Sequence, residues 1–395
     1  MLDNILFSQT EELLNTVPTS FHRYIVDEID WSIQMIGIVG PRGVGKSTMI
    51  LQRLLKQKND ATNKSQFLYI SADDTYFALH SIKDLADEFV KYGGSYLYID
   101  EIHKYPGWSQ ELKQIYDIHR KLHVVVTGSS VLDIHKGSAD LSRRMVVYNL
   151  QGLSFREFLH LYKGIQIPPF CLDDILKHNA IIKEIEHPLP LFHEYLAKGY
   201  YPFSLEGGFE IKIKQIIAQT LEVDIPQYAQ MKMTTSQKLK KMLVIVSQLS
   251  PFKPNVENLA VEIGVSKNNV SDYLLILEKA QMIGQLRDDT GGIRGLGKIE
   301  KIYIDNPNLM TVLASGTPDI GNIRETFFYN QMRVRNDVIS SKESDFCIGQ
   351  YTFEVGGKRK GKKQIENVSN GIIVKDNIEY GSGITIPLWT FGLNY

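Results

Sequence analysis

Cysteine is almost missing from this chain: 395 residues carry two, Cys171 and Cys347, far apart in sequence. That excludes a disulfide framework and a cysteine-based metal site, and it suits a reducing cytosol. An excess of one charge is missing too. Lys and Arg number 44 against 45 Asp and Glu, a formal net charge of −1, so no global field draws the chain to nucleic acid or to an anionic membrane. Any electrostatic grip has to come from a local cluster. No apolar run approaches the roughly 20 residues needed to span a bilayer. The opening stretch MLDNILFSQTEELLN is acidic and amphipathic, without the basic start and apolar core of a signal peptide. The expected location is therefore the cytoplasm. Internal repeats and long low-complexity segments are also missing.

What is present is length and apolar content. With 43% hydrophobic residues the chain can build two or three cores, at roughly 150 residues per domain. Residues 31–150 alternate short apolar runs with helical patterns. The runs are Ile33–Val39, Gln66–Ser71, Ser95–Asp100, Leu122–Gly128 and Met145–Leu150, rich in Val, Ile and Tyr with little polar alternation. That composition suits strands covered on both faces, as in a parallel sheet between helices, and predicts an α/β domain over 1–150. Residues 151–235 read as a helical region broken by prolines, 236–304 as a compact helical and stranded module, and 305–395 as a small α+β unit.

The first strand runs into GPRGVGKST, which carries G-x-x-x-x-G-K-[ST] at Gly40–Ser47 between a strand and a helix. Glycines 40, 43 and 45 let the backbone curl so that N–H groups of Gly40, Pro41–Val44, Gly45, Lys46, Ser47 and Thr48, proline excepted, turn toward phosphate oxygens; Arg42 and Val44 ride on the same curl. The helix that follows adds its positive end. Lys46 reaches the β- and γ-phosphates, and the Ser47 hydroxyl is a ligand for Mg²⁺. A second strand, SYLYIDEIH, ends in Asp100, placed for the metal, and Glu101, placed to polarise an attacking water. The next strand, LHVVVTGSS, ends in small polar residues: Thr127, Ser129 and Ser130 either reach the γ-phosphate or the attacking water, or cap the turn, and Ser129 is the best single choice. Arg143 and Arg144, before the last strand, either offset transition-state charge at a neighbouring subunit's ATP or form a surface pair.

These pieces resemble the AAA+ ATPase superfamily. More narrowly they look like bacterial and archaeal ATPases that join an AAA core to a C-terminal region of DUF4143 type. The resemblance is carried by GPRGVGKST (Walker A), YIDEIHKYPGW with Trp108 after the Walker B strand, VVVTGSS, and RRMVVYNLQGLSFREFL, where Gly152 replaces the usual proline; GYYPF and EVDIP add to it. It implies ATP as the nucleotide, strand order 5-1-4-3-2, a helical lid, and often an oligomeric ring of like subunits.

Val256–Leu286 reads as helix, turn at Gly264, helix, with Val270, Leu274 and Leu277 as the apolar stripe of the second helix and Tyr273 beside it. Lys267, Asn268, Asn269 and Ser271 are then exposed at its start, where a helix-turn-helix meets DNA. Two strands around a glycine-rich turn follow, carrying Arg287, Arg294 and Lys298, so the segment resembles a winged helix. Such modules bind DNA or protein partners, and Asp272, Asp288 and Asp289 dilute the positive charge. In the tail, the resemblance implies a nuclease-like fold of the PD-(D/E)xK kind, with Asp345 and Glu354 as its carboxylates. The lysine expected two places on is Gly356, and Lys358 lies about 13 Å along an ideal strand. The paired glycines predict a hairpin tip carrying Lys358, Arg359, Lys360, Lys362 and Lys363, either a solvated turn or a phosphate contact. The expected function is a Mg²⁺-dependent ATPase that works on DNA as a motor or remodeller. The alternatives are an ATP-dependent switch that binds a protein partner, and an ATPase-linked nuclease.

Overall fold

The computed structural model describes residues 4–128, 141–226, 233–288, 297–314, 317–361 and 363–395. The chain divides into two compact units, Met1–Gln151 and Gly152–Tyr395.

The first unit holds five strands: β1 (Met35–Val39), β2 (Phe67–Ser71), β3 (Tyr96–Asp100), β4 (His123–Gly128) and β5 (Val146–Asn149). They lie in the order β2-β3-β4-β1-β5, all parallel, which is the order the family resemblance implies. Every residue of β1 is buried, as a central strand between two helical layers requires, while the edge strand β5 is largely open. Helices α1 (Asn4–Thr16), α2 (Lys46–Asp60), α3 (Ile82–Lys91) and α4 (Trp108–Ile118) supply the layers. The other edge, β2, is closed by a side chain: the Thr10 hydroxyl accepts the Tyr69 N–H at 3.3 Å and lies 3.0 Å from the Tyr69 carbonyl. Parallel register puts the carboxyl ends of β1, β3 and β4 on one edge, with Val39 opposite Gly128 and Ile99 opposite Val126. That edge is where ligands bind in open α/β sheets.

The second unit takes in everything from Gly152, so the boundaries expected at 235 and 304 fall inside one body. Its core explains why. Phe155, Phe158, Phe192 and Tyr195, on the helices Phe155–Lys163 and Pro188–Lys198, share one cluster with Phe327, Phe328, Phe353 and Phe391. Phe192 meets Phe327 edge-on at 4.8 Å. Between these parts, the helices Met233–Leu249, Val256–Ile263 and Lys267–Lys279 lead to an antiparallel pair, β6 (Ile283–Arg287) and β7 (Ile299–Ile304), and Phe252 bridges to Ile302. Ser266 caps the third helix by accepting the Asn269 N–H at 3.4 Å, and Val270, Tyr273, Leu274 and Leu277 are buried as the stripe predicts.

The last sheet has the order β12-β11-β10-β9-β8, with β8 (Val338–Ser340), β9 (Phe346–Ile348), β10 (Tyr351–Gly356), β11 (Gly371–Lys375) and β12 (Thr385–Pro387). It corrects the hairpin expected at Gly356–Gly357. β10 and β11 are parallel, Thr352 pairing with Gly371 and Gly356 with Lys375. Parallel neighbours need a crossover of about a dozen residues or more, and 357–370 supplies it.

Candidate nucleotide-binding site

The phosphate loop is shaped from its glycines outward. Gly43 and Gly45 take left-handed φ values of 79° and 94°, and Gly45 caps α2. A side chain at Gly40 would place its Cβ 2.1 Å from the Leu150 carbonyl oxygen, so only glycine fits where the loop leaves β1. Pro41 and Val44 are buried; Arg42, Gly45, Ser47 and Thr48 are half-buried, and Gly43 is open. Lys46 is buried, and its Nζ donates to the Gly40 and Pro41 carbonyls at 2.9 and 2.8 Å. The cation thus lies within the loop it is expected to serve.

Asp100 is buried at the end of β3. Its Oδ1 accepts from the Thr127 hydroxyl and its Oδ2 from the Tyr69 hydroxyl at 2.9 Å. Burial first, and the Asp100 charge next, hold the Tyr69 phenol far above its ordinary value, so it stays a neutral donor. Glu101 follows in the left-handed region, φ 51°, where a non-glycine residue is strained. Its N–H donates to Thr127 Oγ1 at 3.3 Å, and its Oε2 lies 3.4 Å from Nε2 of the buried His103. One threonine therefore joins the two carboxylate residues. Strands stand about 4.8 Å apart, so Asp100 sits about 10 Å across the sheet from the exit of β1, with β4 between them.

Of the small polar residues at the end of β4, Thr127 is the one seen to engage Asp100; Ser129 and Ser130 lie outside the described residues. Arg143 is exposed. Arg144 binds Asp117 of its own chain through two bonds, 3.0 and 2.9 Å, and that hydrogen bonding holds Asp117 below its ordinary range. Arg23, which sequence reasoning missed, is buried and donates to the Val44 carbonyl and, at 2.7 Å, to the Gln151 carbonyl. His103 was missed as well; its only signal is its place two residues after the strand-end glutamate.

In the second unit, Lys267, Asn268, Asn269 and Ser271 are exposed at the start of their helix, and Lys267 pairs with Glu257. Arg287 pairs with Glu278 at 3.1 Å, while Arg294 lies outside the described residues. Lys358, Arg359 and Lys363 are exposed, and Lys362 is outside the described residues. Lys360 turns inward to Glu354, which is buried and also accepts from Ser344. The stem of Lys360 fills the space beside Gly356, where an added Cβ would stand 2.7 Å from it. Asp345 faces a different cation: Lys301 Nζ lies 3.2 Å from it and 3.0 Å from Glu325. Among the described residues no group of three or more His, Cys, Asp or Glu side chains is arranged to hold a metal ion. No helix of the described residues is long and apolar enough to cross a membrane.

A strand–loop–helix with a buried lysine, beside a strand ending in a buried aspartate, defines a P-loop nucleotide-binding fold. Residues 32–159, most of the first unit, match the family described as AAA domain. Residues 189–319 match a domain of unknown function, DUF8612, rather than the DUF4143 type the sequence resembles. The chain is 26% identical over 403 residues to the uncharacterized protein MJ1637 of Methanocaldococcus jannaschii, covering 90% of this chain and 84% of that one. Among solved structures, the Walker-type ATPase paby2304 of Pyrococcus abyssi is 13% identical, covers 79% of this chain and 96% of its own, and has a TM-score of 0.39. AMPPCP-bound DnaA from Aquifex aeolicus is 14% identical over 70% of this chain and 88% of its own, with a TM-score of 0.26.

Proposed function

We propose that this chain hydrolyses ATP with Mg²⁺ and uses the turnover to act on DNA. The observation that carries the ATPase reading is the Asp100–Thr127–Glu101 junction on the same sheet edge as the phosphate loop. Loop amides and Lys46 bind the phosphates, Lys46 leaving the Gly40 and Pro41 carbonyls to do so. Ser47 and Asp100 are oxygen donors of the kind that suit Mg²⁺, which is bound through one or two carboxylates together with substrate phosphates. Bound there, the metal would neutralise charge on the β- and γ-phosphate oxygens. Glu101 is held from both sides, by its own amide on Thr127 and by His103 at its carboxylate, and orients the attacking water.

The DNA part rests on the order helix, bridge, helix, helix, antiparallel pair, which is that of a winged helix, and on the exposed Lys267, Asn268 and Asn269. Lys267 and Glu257 are 63% and 70% exposed, a pair that costs little to exchange for a phosphate. The second reading, a switch that binds a protein partner, is favoured by one observation: Val261 and Leu275 on these helices are 84% and 44% exposed.

One assay series tests both. ATP hydrolysis is measured alone and with single-stranded, duplex and branched DNA, for the wild type, Lys46→Ala and Glu101→Gln. Lys46→Ala should lose nucleotide binding, Glu101→Gln should bind without turnover, and DNA should stimulate the wild type. Unchanged ATP affinity in Lys46→Ala would refute the site. No stimulation and no salt-dependent DNA binding would leave the protein-partner switch.

A further inference from the structure

We infer that Arg23 is a positioning residue for the phosphate loop and ties the loop's state to Gln151, the last residue of the first unit. The inference rests on the nucleotide-binding reading above. A loop that turns its N–H groups toward phosphate must turn its carbonyls toward the protein, and buried carbonyls need donors. Three of them are answered by cations. Gly40 and Pro41 accept from Lys46 at 2.9 and 2.8 Å, and Val44, fully buried, accepts from Arg23. Lys46 has to leave its carbonyls when phosphate arrives. Arg23 does not: it is 4% exposed and is held at its other nitrogen by the Gln151 carbonyl at 2.7 Å. Arg23 thus stays tied to the loop's crest while Lys46 moves.

The same short stretch of chain touches the loop's other end. The Leu150 N–H donates to Val39 at 2.7 Å, and the Leu150 carbonyl lies so close to Gly40 that no side chain fits there. Residues 150 and 151 therefore meet the loop at its entry directly and at its crest through Arg23. A shift of the crest on phosphate binding passes to Gln151 instead of dissipating within the loop. The chemistry favours arginine: its planar fork puts separate nitrogens on two carbonyls from distant segments, Val44 and Gln151, whereas an ammonium would have to reach both from a single nitrogen.

The test uses the full chain as wild type, Arg23→Lys and Arg23→Gln. ADP affinity is titrated directly, and amide hydrogen exchange is followed in the peptide spanning 147–153 with and without saturating ADP. In the wild type, ADP should alter exchange in that peptide. Arg23→Lys should keep its cooperative melt, bind ADP about tenfold more weakly, the worth of one hydrogen bond to a buried carbonyl, and lose the ADP-dependent change even at saturation. Should Arg23→Gln fail to fold, Arg23→Lys carries the test. A wild type that binds ADP, with Arg23→Lys matching it in affinity and exchange, overturns this inference alone. A wild type that binds no ADP overturns the nucleotide-binding reading and this inference together.

Discussion

Replacing Thr127 with valine removes one hydroxyl and leaves the shape. That hydroxyl is fully buried, donates to Asp100 Oδ1 and accepts the Glu101 N–H at 3.3 Å. A hydrogen bond to a charged group contributes about 1.5–3 kcal/mol, and the long amide contact about 0.5 kcal/mol. The valine methyl returns roughly 0.5–1 kcal/mol of apolar burial. The net loss is about 2 kcal/mol, or roughly 4–8 °C in the melting temperature of a unit this size. The unit can be watched separately, because Trp31 and Trp108 lie in it and Trp389 in the other, so a Trp389→Phe background isolates its fluorescence. Function should suffer as well. Without Thr127, Asp100 is held on one side by Tyr69, and Glu101 loses the acceptor that fixes its strained backbone. Turnover should fall about tenfold, the rate equivalent of about 1.4 kcal/mol, with Thr127→Ser close to wild type in both measures. A valine variant that melts within about 1 °C of wild type and turns ATP over at the wild-type rate would refute the reasoning.

Two further outcomes are expected in the second unit. Burial, with the Asp345 charge adding to it, raises the Glu325 pKa, so ionised Glu325 costs the folded state at neutral pH, a cost relieved as pH falls through the raised value. Burial opposes the charge on Lys301, but Glu325 and Asp345 outweigh it and hold its pKa above the ordinary lysine value; its contribution is fully present below that value and lost only as pH rises through the raised one. Lys301→Met should therefore destabilise the unit by about 2 kcal/mol at neutral pH and by less as the pH falls toward the raised Glu325 value; equal losses in denaturant titrations at neutral and at acidic pH would refute this. Changing Lys358, Arg359 and Lys363 to alanine while keeping Lys360 should weaken DNA binding and flatten its salt dependence, by about 0.9 in logarithmic slope for each phosphate no longer neutralised, with basal ATP turnover unchanged. Unaltered DNA affinity would mark these residues as a solvated turn.

The candidate nucleotide site was legible because its parts are local. A glycine-rich run between an apolar strand and a helix fixes backbone direction, and a buried strand delivers Asp100 to the edge where that run begins. The missed features depend on contacts distant in sequence. Nothing near Arg23 announces that it reaches Val44 and Gln151. The helices of 151–235 carry ordinary amphipathic spacing, which shows that a face is buried but not that Phe327 and Phe353 cover it. The basic stretch misled for a similar reason. Spacing along an ideal strand kept Lys358 away from Glu354 and silently set Lys360 further off still, whereas the chain leaves the strand after Gly356 and brings Lys360 back. Two paired glycines signal a turn equally well for a hairpin and for the start of a crossover, and only the pairing of β11 separates them.

The return of Lys360 over Gly356 makes these two positions rivals for one volume. A side chain at 356 would strike the lysine stem, and a lysine at 360 is accommodated because 356 has none. The buried Glu354 needs a cation, but the cation can stand at either site and not at both. Sequences with this fold should therefore divide into those with glycine at 356 and lysine at 360, and those with lysine at 356 and a short residue at 360. A pairwise swap, Gly356→Lys with Lys360→Gly, should be tolerated where either change alone is not.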